Sequence, residues 1–269
     1  CLKTQNAYIY LSMIENLFII LVINTFVISI LWLSQLKTRR ADLIDVYWGP
    51  SFFISVLAVA IKDNSFQSLA ILISLALLGV WGFRLGIYLL LRNSKKEEDI
   101  RYVKIRNNIG DIGILLQPYL IQIILITVVL FPFQILMLSN PAGEISLISM
   151  TGVAIAIFGI VIESFADYQL SNFKGDKAND GKLMDRGLWY YSRHPNYFGD
   201  SLFWWGSFLF CFGFSDNIIS IISPVLMTFF LLRVSGVTML ERQIAKKKSG
   251  YQEYIETTSS FILLPKFKK

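Results

Sequence analysis

Apolar residues fall in seven runs separated by polar segments. The runs cover about 9–35, Pro50 to Ile61, and about 67–91, 115–138, 146–169, 197–213 and 217–237. Most approach the ~20 residues that a helix needs to cross a bilayer core. The run from Pro50 to Ile61 is the weakest, and it reads as a short or re-entrant span. Segments 36–49, 92–114, 170–196 and 238–269 are long and polar, whereas 62–66, 139–145 and 214–216 are short. No internal repeat or low-complexity tract interrupts the series. The pattern predicts an all-α, multi-pass membrane protein with about seven transmembrane helices, in a single helical domain over 1–269. The first run is too long for a cleavable signal and lacks a basic leader, so it is expected to stay as a span. Toward the end, Leu240, Ile244, Tyr251 and Tyr254 share one side of a predicted helix from Thr238 to Thr257. Lys246 to Lys248 take the other side, which suits a helix lying on the membrane surface.

Composition supports the membrane reading. The chain is 54% hydrophobic and 16% charged, with a mean hydropathy of +0.55. Soluble domains carry about 25% charged residues. A soluble enzyme, a disordered chain and a disulfide scaffold are thereby excluded. Cys1 and Cys211 form neither a framework nor a metal pair. The four long polar segments hold 21 of the 25 basic residues. Positive charge gathers on the cytoplasmic side, so the expected orientation is N-terminus outside and C-terminus in the cytoplasm. The net charge of +6 is then matched to anionic membrane lipid, and no nucleic acid partner is expected.

Ionisable residues at membrane depth are costly and mark function. Here they are Arg84, Glu163, Asp167, Asp200, Arg233 and Glu241, all toward the cytoplasmic ends of their runs. A bland alternative has the arginines reaching lipid phosphate while the acids pair with them. The densest segment is Arg186-Gly-Leu-Trp-Tyr-Tyr-Ser-Arg-His-Pro-Asn-Tyr-Phe-Gly-Asp200. Pro195 biases His194 away from helix, so a helix is predicted to begin near Asn196. Its free N–H groups, flanked by Arg186 and Arg193, suit an anion. Tyr190, Tyr197 and the His194 ring could stack on a flat group. A phosphate joined to a flat ring describes a nucleotide cofactor. There is no Walker loop and no Gly-x-Gly-x-x-Gly after a strand. One histidine without a cysteine pair predicts no metal site. A second polar cluster, Arg92 to Tyr102, reads either as a solvated loop, the better reading if it stood alone, or, beside the first cluster, as further phosphate and ribose contacts through Arg92 and Arg101, with Asp99 positioning Arg101.

The segment Arg193-His-Pro-Asn-Tyr-Phe-Gly-Asp200 resembles the signature near the C-terminus of the steroid 5-alpha-reductase-like family. More closely it resembles the bacterial branch described as a domain of unknown function (DUF1295). Three further stretches agree: Asp42-Leu-Ile-Asp-Val-Tyr-Trp-Gly49; Trp81-Gly-Phe-Arg-Leu-Gly-Ile-Tyr88 with Arg92-Asn93 and Glu98 to Tyr102; and Leu240-Glu-Arg with Gly250 to Tyr254 and Phe261 to Pro265. The likeness covers most of 40–265. The Arg-His-Pro-x-Tyr-x-Gly core is shared with membrane sterol reductases and with isoprenylcysteine carboxyl methyltransferases.

The resemblance implies NADPH in a cavity open to the cytoplasm, and reduction of a carbon–carbon double bond conjugated to a carbonyl. By matching position, Arg84, Asp167, Lys174, Asn196 and Asp200 are implied to line the cofactor. Charge and location add Arg92, Arg101, Arg186, Tyr190 and Arg193. The steroid enzymes polarise the ketone with a Gln-Glu pair and a tyrosine. That pair has no counterpart here, and Asp45, with Tyr47 or Tyr88, is the nearest substitute. The expected substrate is a hydrophobic small molecule, steroid-like or an isoprenoid or lipid, and the expected location is a bacterial inner membrane. Two other readings stay open: an S-adenosylmethionine-dependent methyltransferase of a lipid or prenylated thiol, and a non-catalytic lipid-binding protein.

Overall fold

The computed structural model of the protein describes residues 2–94, 96–139, 144–234 and 250–266, and for 2–9 the backbone alone. Every regular element among these residues is helical, apart from one isolated parallel bridge between Ser192 and Ser259. Among the described residues, five helices are long and apolar enough to cross a membrane: Tyr10–Thr38, Leu43–Lys62, Leu69–Asn93, Ile100–Val129 and Leu147–Gly175. The protein is thus an all-α, membrane-embedded chain. It divides into two compact units, Cys1–Ile145 and Ser146–Lys269.

The first unit contains α1 (Leu2–Thr38), α2 (Leu43–Lys62), α3 (Leu69–Asn93), α4 (Ile100–Ile114), α5 (Leu120–Val129) and α6 (Phe131–Leu138). Helix α2 differs from the hydropathy pattern. It starts at Leu43, so most of the polar stretch after α1 is helix, and the short run 50–61 is the second half of a 20-residue element. The hydropathy signal fails there because Asp42 and Asp45 count as polar although both are neutralised by partners, Arg40 and Arg101. Pro50 lies inside α2 and has no N–H to give the carbonyl of Val46 one turn earlier. Gly86 of α3 packs there; a Cβ on it would lie 2.9 Å from that oxygen. One turn away on both helices, a Cβ on Gly49 would fall 2.4 Å from the carbonyl oxygen of Gly82. Only glycine lets the two backbones meet this closely, the device by which helices associate where lipid supplies no hydrophobic drive. Helix α4 breaks at Ile109 and Gly110, the latter at φ 68°. It joins α5 through a π-helical turn, Leu115–Tyr119, which accommodates Pro118.

The second unit contains α7 (Leu147–Gly175), α8 (Leu188–Tyr191), α9 (Pro195–Ser215), α10 (Ile222–Phe229) and α11 (Tyr251–Thr257). The Ser146 hydroxyl caps α7 by accepting the N–H of Ser149 at 3.1 Å. Helices α7 and α9 pack along a seam of small residues. A Cβ on Gly159 would lie 2.5 Å from the Gly199 carbonyl oxygen, and one on Gly206 2.4 Å from the Ala156 nitrogen. Phe158, Val161 and Phe165 project from the other side of α7 and are exposed, as a lipid-facing surface requires. Cys211 of α9 is fully buried.

The sixth and seventh expected spans fall on α9 and on the apolar stretch Ile218–Val234. Neither meets the length and hydropathy of the other five. Helix α9 has the length, but glycines, serines, Asn196 and Asp200 dilute its apolar content. Ile218–Val234 is short. The surface helix expected over 238–257 lies outside the described residues as far as 249. Its described end is α11, where Tyr251 and Tyr254 are buried as the pattern predicts.

Candidate functional site

In the first unit, the polar residues gather where the turn after α1 meets the end of α3 and the start of α4. Arg39 takes the left-handed conformation at φ 55°, which reverses the chain within four residues. Arg40 then binds Asp42 through two 2.9 Å hydrogen bonds and donates to the Asn93 carbonyl at 2.9 Å. Its guanidinium is pushed above its ordinary pKa, chiefly by the Asp42 hydrogen bond. Glu98 accepts the Ala41 N–H at 2.7 Å and pairs with Arg106. These contacts, with the Arg40 bond to the Lys96 carbonyl, fix the segment 96–99 and the start of α4. Lys96, in that segment, has its pKa lowered by burial and by the neighbouring charge of Arg92.

Asp99 caps α4. One carboxylate oxygen accepts the Arg101 N–H at 2.9 Å and the other accepts the Arg101 side chain at 2.9 and 3.1 Å. Burial acts to raise the Asp99 pKa, but the side-chain and backbone hydrogen bonds from Arg101 outweigh it and hold the group below its ordinary value. Arg101 also reaches Asp45 at 3.2 Å, and the Tyr102 hydroxyl donates to the other Asp45 oxygen at 2.6 Å. Both oxygens of Asp45 therefore accept hydrogen bonds. Tyr47 stands apart from this group: its hydroxyl donates to Asn24 at 3.0 Å, and Asn24 donates in turn to Ser55 at 2.8 Å. Tyr47 is a strut between α1 and α2. Arg84, Tyr88 and Arg92 are spaced by four residues along one stripe of α3, and the Arg92 guanidinium sits 5.8 Å from the Tyr88 ring centre.

In the second unit, Glu163 and Asp167 lie one turn apart on α7, and Asn196 and Asp200 one turn apart on α9. Glu163, Asp167 and Asp200 are all buried. The glycine seam brings these stripes together: a Cβ on Gly199 would lie 2.9 Å from the Glu163 Cβ. Asn196 donates to Asp167 at 3.1 Å. Just before α9, His194 is buried and its backbone N–H donates to the Ser192 hydroxyl at 3.1 Å. Its ring stacks on Tyr197 with centroids 5.3 Å apart and planes 8° from parallel. Pro195 takes the first helical position, where its missing N–H is not needed.

The other expected contacts are elsewhere in this unit. Lys174, in the last turn of α7, and Arg186 are exposed; Arg186 lies 5.5 Å from the Phe173 ring centre. Tyr190 is exposed, with the Lys266 ammonium 4.6 Å from its ring centre. Arg193 is buried and donates to the carbonyls of Ile255 at 2.8 Å and Thr258 at 2.5 Å. The sequence places Tyr102 in the second polar cluster and Tyr254 on the inner side of its helix, but assigns neither the hydrogen bonds it makes. Tyr102 had a signal, since it follows the Asp99 cap by three residues and so returns to the same side of α4. Tyr254 had none, because its hydrogen bonds go to the carbonyls of Trp189 and Ser192 far away in the chain. Among the described residues, no group of three or more His, Cys, Asp or Glu side chains is arranged to hold a metal ion.

No curated protein and no solved structure matches this chain. A family pattern does match, over residues 31–258, and that range includes both polar groups described above; the chain belongs to the family described as Protein of unknown function (DUF1295).

Proposed function

We propose that the protein is an NADPH-dependent reductase of the bacterial inner membrane. It spans the membrane seven times, with the N-terminus outside and the C-terminus and cofactor site in the cytoplasm. It transfers hydride to the β-carbon of a carbon–carbon double bond conjugated to a carbonyl. The substrate is hydrophobic, steroid-like or an isoprenoid or lipid. The observation that carries this reading is the group Asp167, Asn196 and Asp200 on the α7–α9 seam, with both acids buried, beside the stacked His194 and Tyr197.

The donor set fits the nucleotide. Ribose hydroxyls and a carboxamide present O–H and N–H donors, and Asp167 and Asp200 are acceptors, while Asn196 both donates and accepts. The exposed Lys174 and Arg186 suit phosphate oxygens. When bound, NADPH supplies the hydride, and the protein contributes orientation and electrostatics. Asp45 is assigned to the substrate oxygen. In the reacting form it would be protonated instead of ion-paired with Arg101, and would donate a hydrogen bond toward the charge that develops as the double bond is reduced. Arg101 and Tyr102 hold its carboxyl group in place.

Mass spectrometry of small molecules that co-purify with the detergent-solubilised protein tests the reading. A bound nicotinamide nucleotide is the expected result. S-adenosylmethionine in its place would make the protein a methyltransferase, and lipid alone would make it an accessory protein. Calorimetry should also give tighter binding of NADPH than of NADH, because a 2′-phosphate finds cationic partners. Equal affinities reject that preference.

A further inference from the structure

The segment that follows α11 runs back along the turn that leads into α9. The Arg193 N–H donates to the Ser259 carbonyl at 2.8 Å, within the parallel bridge from Ser192 to Ser259. The Ser192 hydroxyl donates to the Phe261 carbonyl at 2.7 Å, and the Leu264 N–H to the Tyr191 carbonyl at 3.1 Å. From the other side, the Tyr254 hydroxyl donates to the carbonyls of Trp189 and Ser192. Arg193 closes the arrangement. Its guanidinium reaches past the bridge to the carbonyls of Ile255 and Thr258, at the end of α11. Carbonyls at a helix end have no partner within the helix and must find one elsewhere. Arg193, Ser192, Tyr254 and Thr258 are all buried, so water does not compete for these bonds.

We infer that Arg193 is a positioning residue that clamps residues 250–264 onto the turn 188–194, and that this clamp sets where His194 and Asn196 stand at the start of α9. The second half of the inference rests on the nucleotide reading above. The chain continues directly from Arg193 into His194, whose N–H is held by the same Ser192 hydroxyl that donates to Phe261. Asn196, one residue beyond Pro195, holds Asp167. Loosening the C-terminal segment therefore loosens the first turn of α9. This role differs from a phosphate ligand in what can replace it. A carbonyl accepts from an ammonium as well as from a guanidinium, whereas a two-pronged phosphate contact needs the planar fork.

The test uses the full chain in detergent and compares Arg193→Ala, Tyr254→Phe and Arg193→Lys with the unaltered protein. Hydrogen exchange is read in peptides covering 188–198 and 258–266, and NADPH affinity by calorimetry. Arg193→Ala is expected to speed exchange in both peptides by about tenfold or more, since a buried charge-assisted bond is lost. Arg193→Lys should stay within about threefold of the unaltered protein, and Tyr254→Phe should fall between the two. NADPH affinity should decline in the same order. Lost affinity with unchanged exchange overturns the inference and makes Arg193 a nucleotide ligand. Faster exchange with unchanged affinity overturns the positioning role. Should Arg193→Ala fail to fold, Tyr254→Phe, which removes one hydroxyl and keeps the ring, carries the same comparison. If the unaltered protein binds no nicotinamide nucleotide, the reductase reading falls, and the exchange rates alone decide whether the clamp exists.

Discussion

At Gly49 and Gly82 in the first unit, and at Gly159 and Gly199 in the second, bare backbone meets bare backbone. The two seams handle charge differently. Along α2 and α3, apart from Asp45 in the first turn of α2 and Arg84 within α3, ionic groups gather past the helix ends, where Arg40, Asp42, Glu98, Asp99, Arg101 and Arg106 neutralise one another. Along α7 and α9, the acids Glu163, Asp167 and Asp200 lie inside the seam and are buried. Charges that pair at the ends of helices serve the fold. Burying carboxylates between two membrane helices is expensive, and such groups mark function by default. The difference separates a self-neutralised ionic cap from the buried acidic group to which the nucleotide is proposed to bind.

The comparison can be broken most severely at the glycines. Gly159→Ala and Gly49→Ala each force a Cβ against backbone that cannot rotate away. Both should destabilise the purified protein by about 3 kcal/mol, the upper part of the overpacking range, read as a lower midpoint of thermal unfolding in detergent. Gly159→Ala should also weaken NADPH binding, because Gly159 adjoins the Glu163 and Asn196 stripes. If Gly49→Ala weakens binding as much, the contrast between the seams fails.

The chemical step gives a smaller effect. Asp45→Asn keeps the size of the side chain and removes its titratable proton. Turnover of an enone should fall at least about tenfold, a conservative bound for replacing an acidic O–H donor to a developing oxyanion by the weaker amide N–H, while NADPH affinity stays near normal. Unchanged turnover would move the role to Tyr88, since Tyr47 is already committed to Asn24. Lost nucleotide binding would remove Asp45 from the substrate side of the mechanism.

The smallest effect belongs to the cap of α4. Asp99→Ala should cost about 1 kcal/mol of stability, typical of a helix N-cap. The pH dependence has a definite sign. The folded state holds the Asp99 pKa below its ordinary value. Its contribution is therefore complete above about pH 4, the unfolded aspartate range, and is lost as pH falls through the folded value. Acid titration of stability in the unaltered protein and in Asp99→Ala should diverge above that range and converge below it. Parallel curves would mean that the cap is not the origin of the shift.

Much of this architecture was legible in the sequence, and particular residues show where legibility ends. The membrane-embedded, all-α character follows from run length and hydropathy, and the burial of Tyr251 and Tyr254 follows from helical spacing. The start of α2 does not, because hydropathy counts Asp42 and Asp45 as if they met water, while their partners Arg40 and Arg101 cancel them. The grouping of Asp167, Asn196 and Asp200 was implied by the resemblance. Arg193 shows the opposite limit. Its place in an arginine- and aromatic-rich segment suggested an anion, but its partners are carbonyls more than sixty residues later. Local composition records what a side chain could bind and is silent about which distant backbone the fold brings to it.

Cys211, buried within α9 with no exposed surface, makes the protein convenient for thiol chemistry. An impermeant maleimide needs an accessible thiolate, so it will pass over this residue in intact cells. With Cys1 replaced by serine, a single cysteine introduced at Asn64 or at Gly175 becomes the one reactive position. Labelling at Asn64 from the medium, with Gly175 modified only after the membrane is opened, is the pattern that the proposed orientation requires. The reverse pattern would turn the protein over in the bilayer.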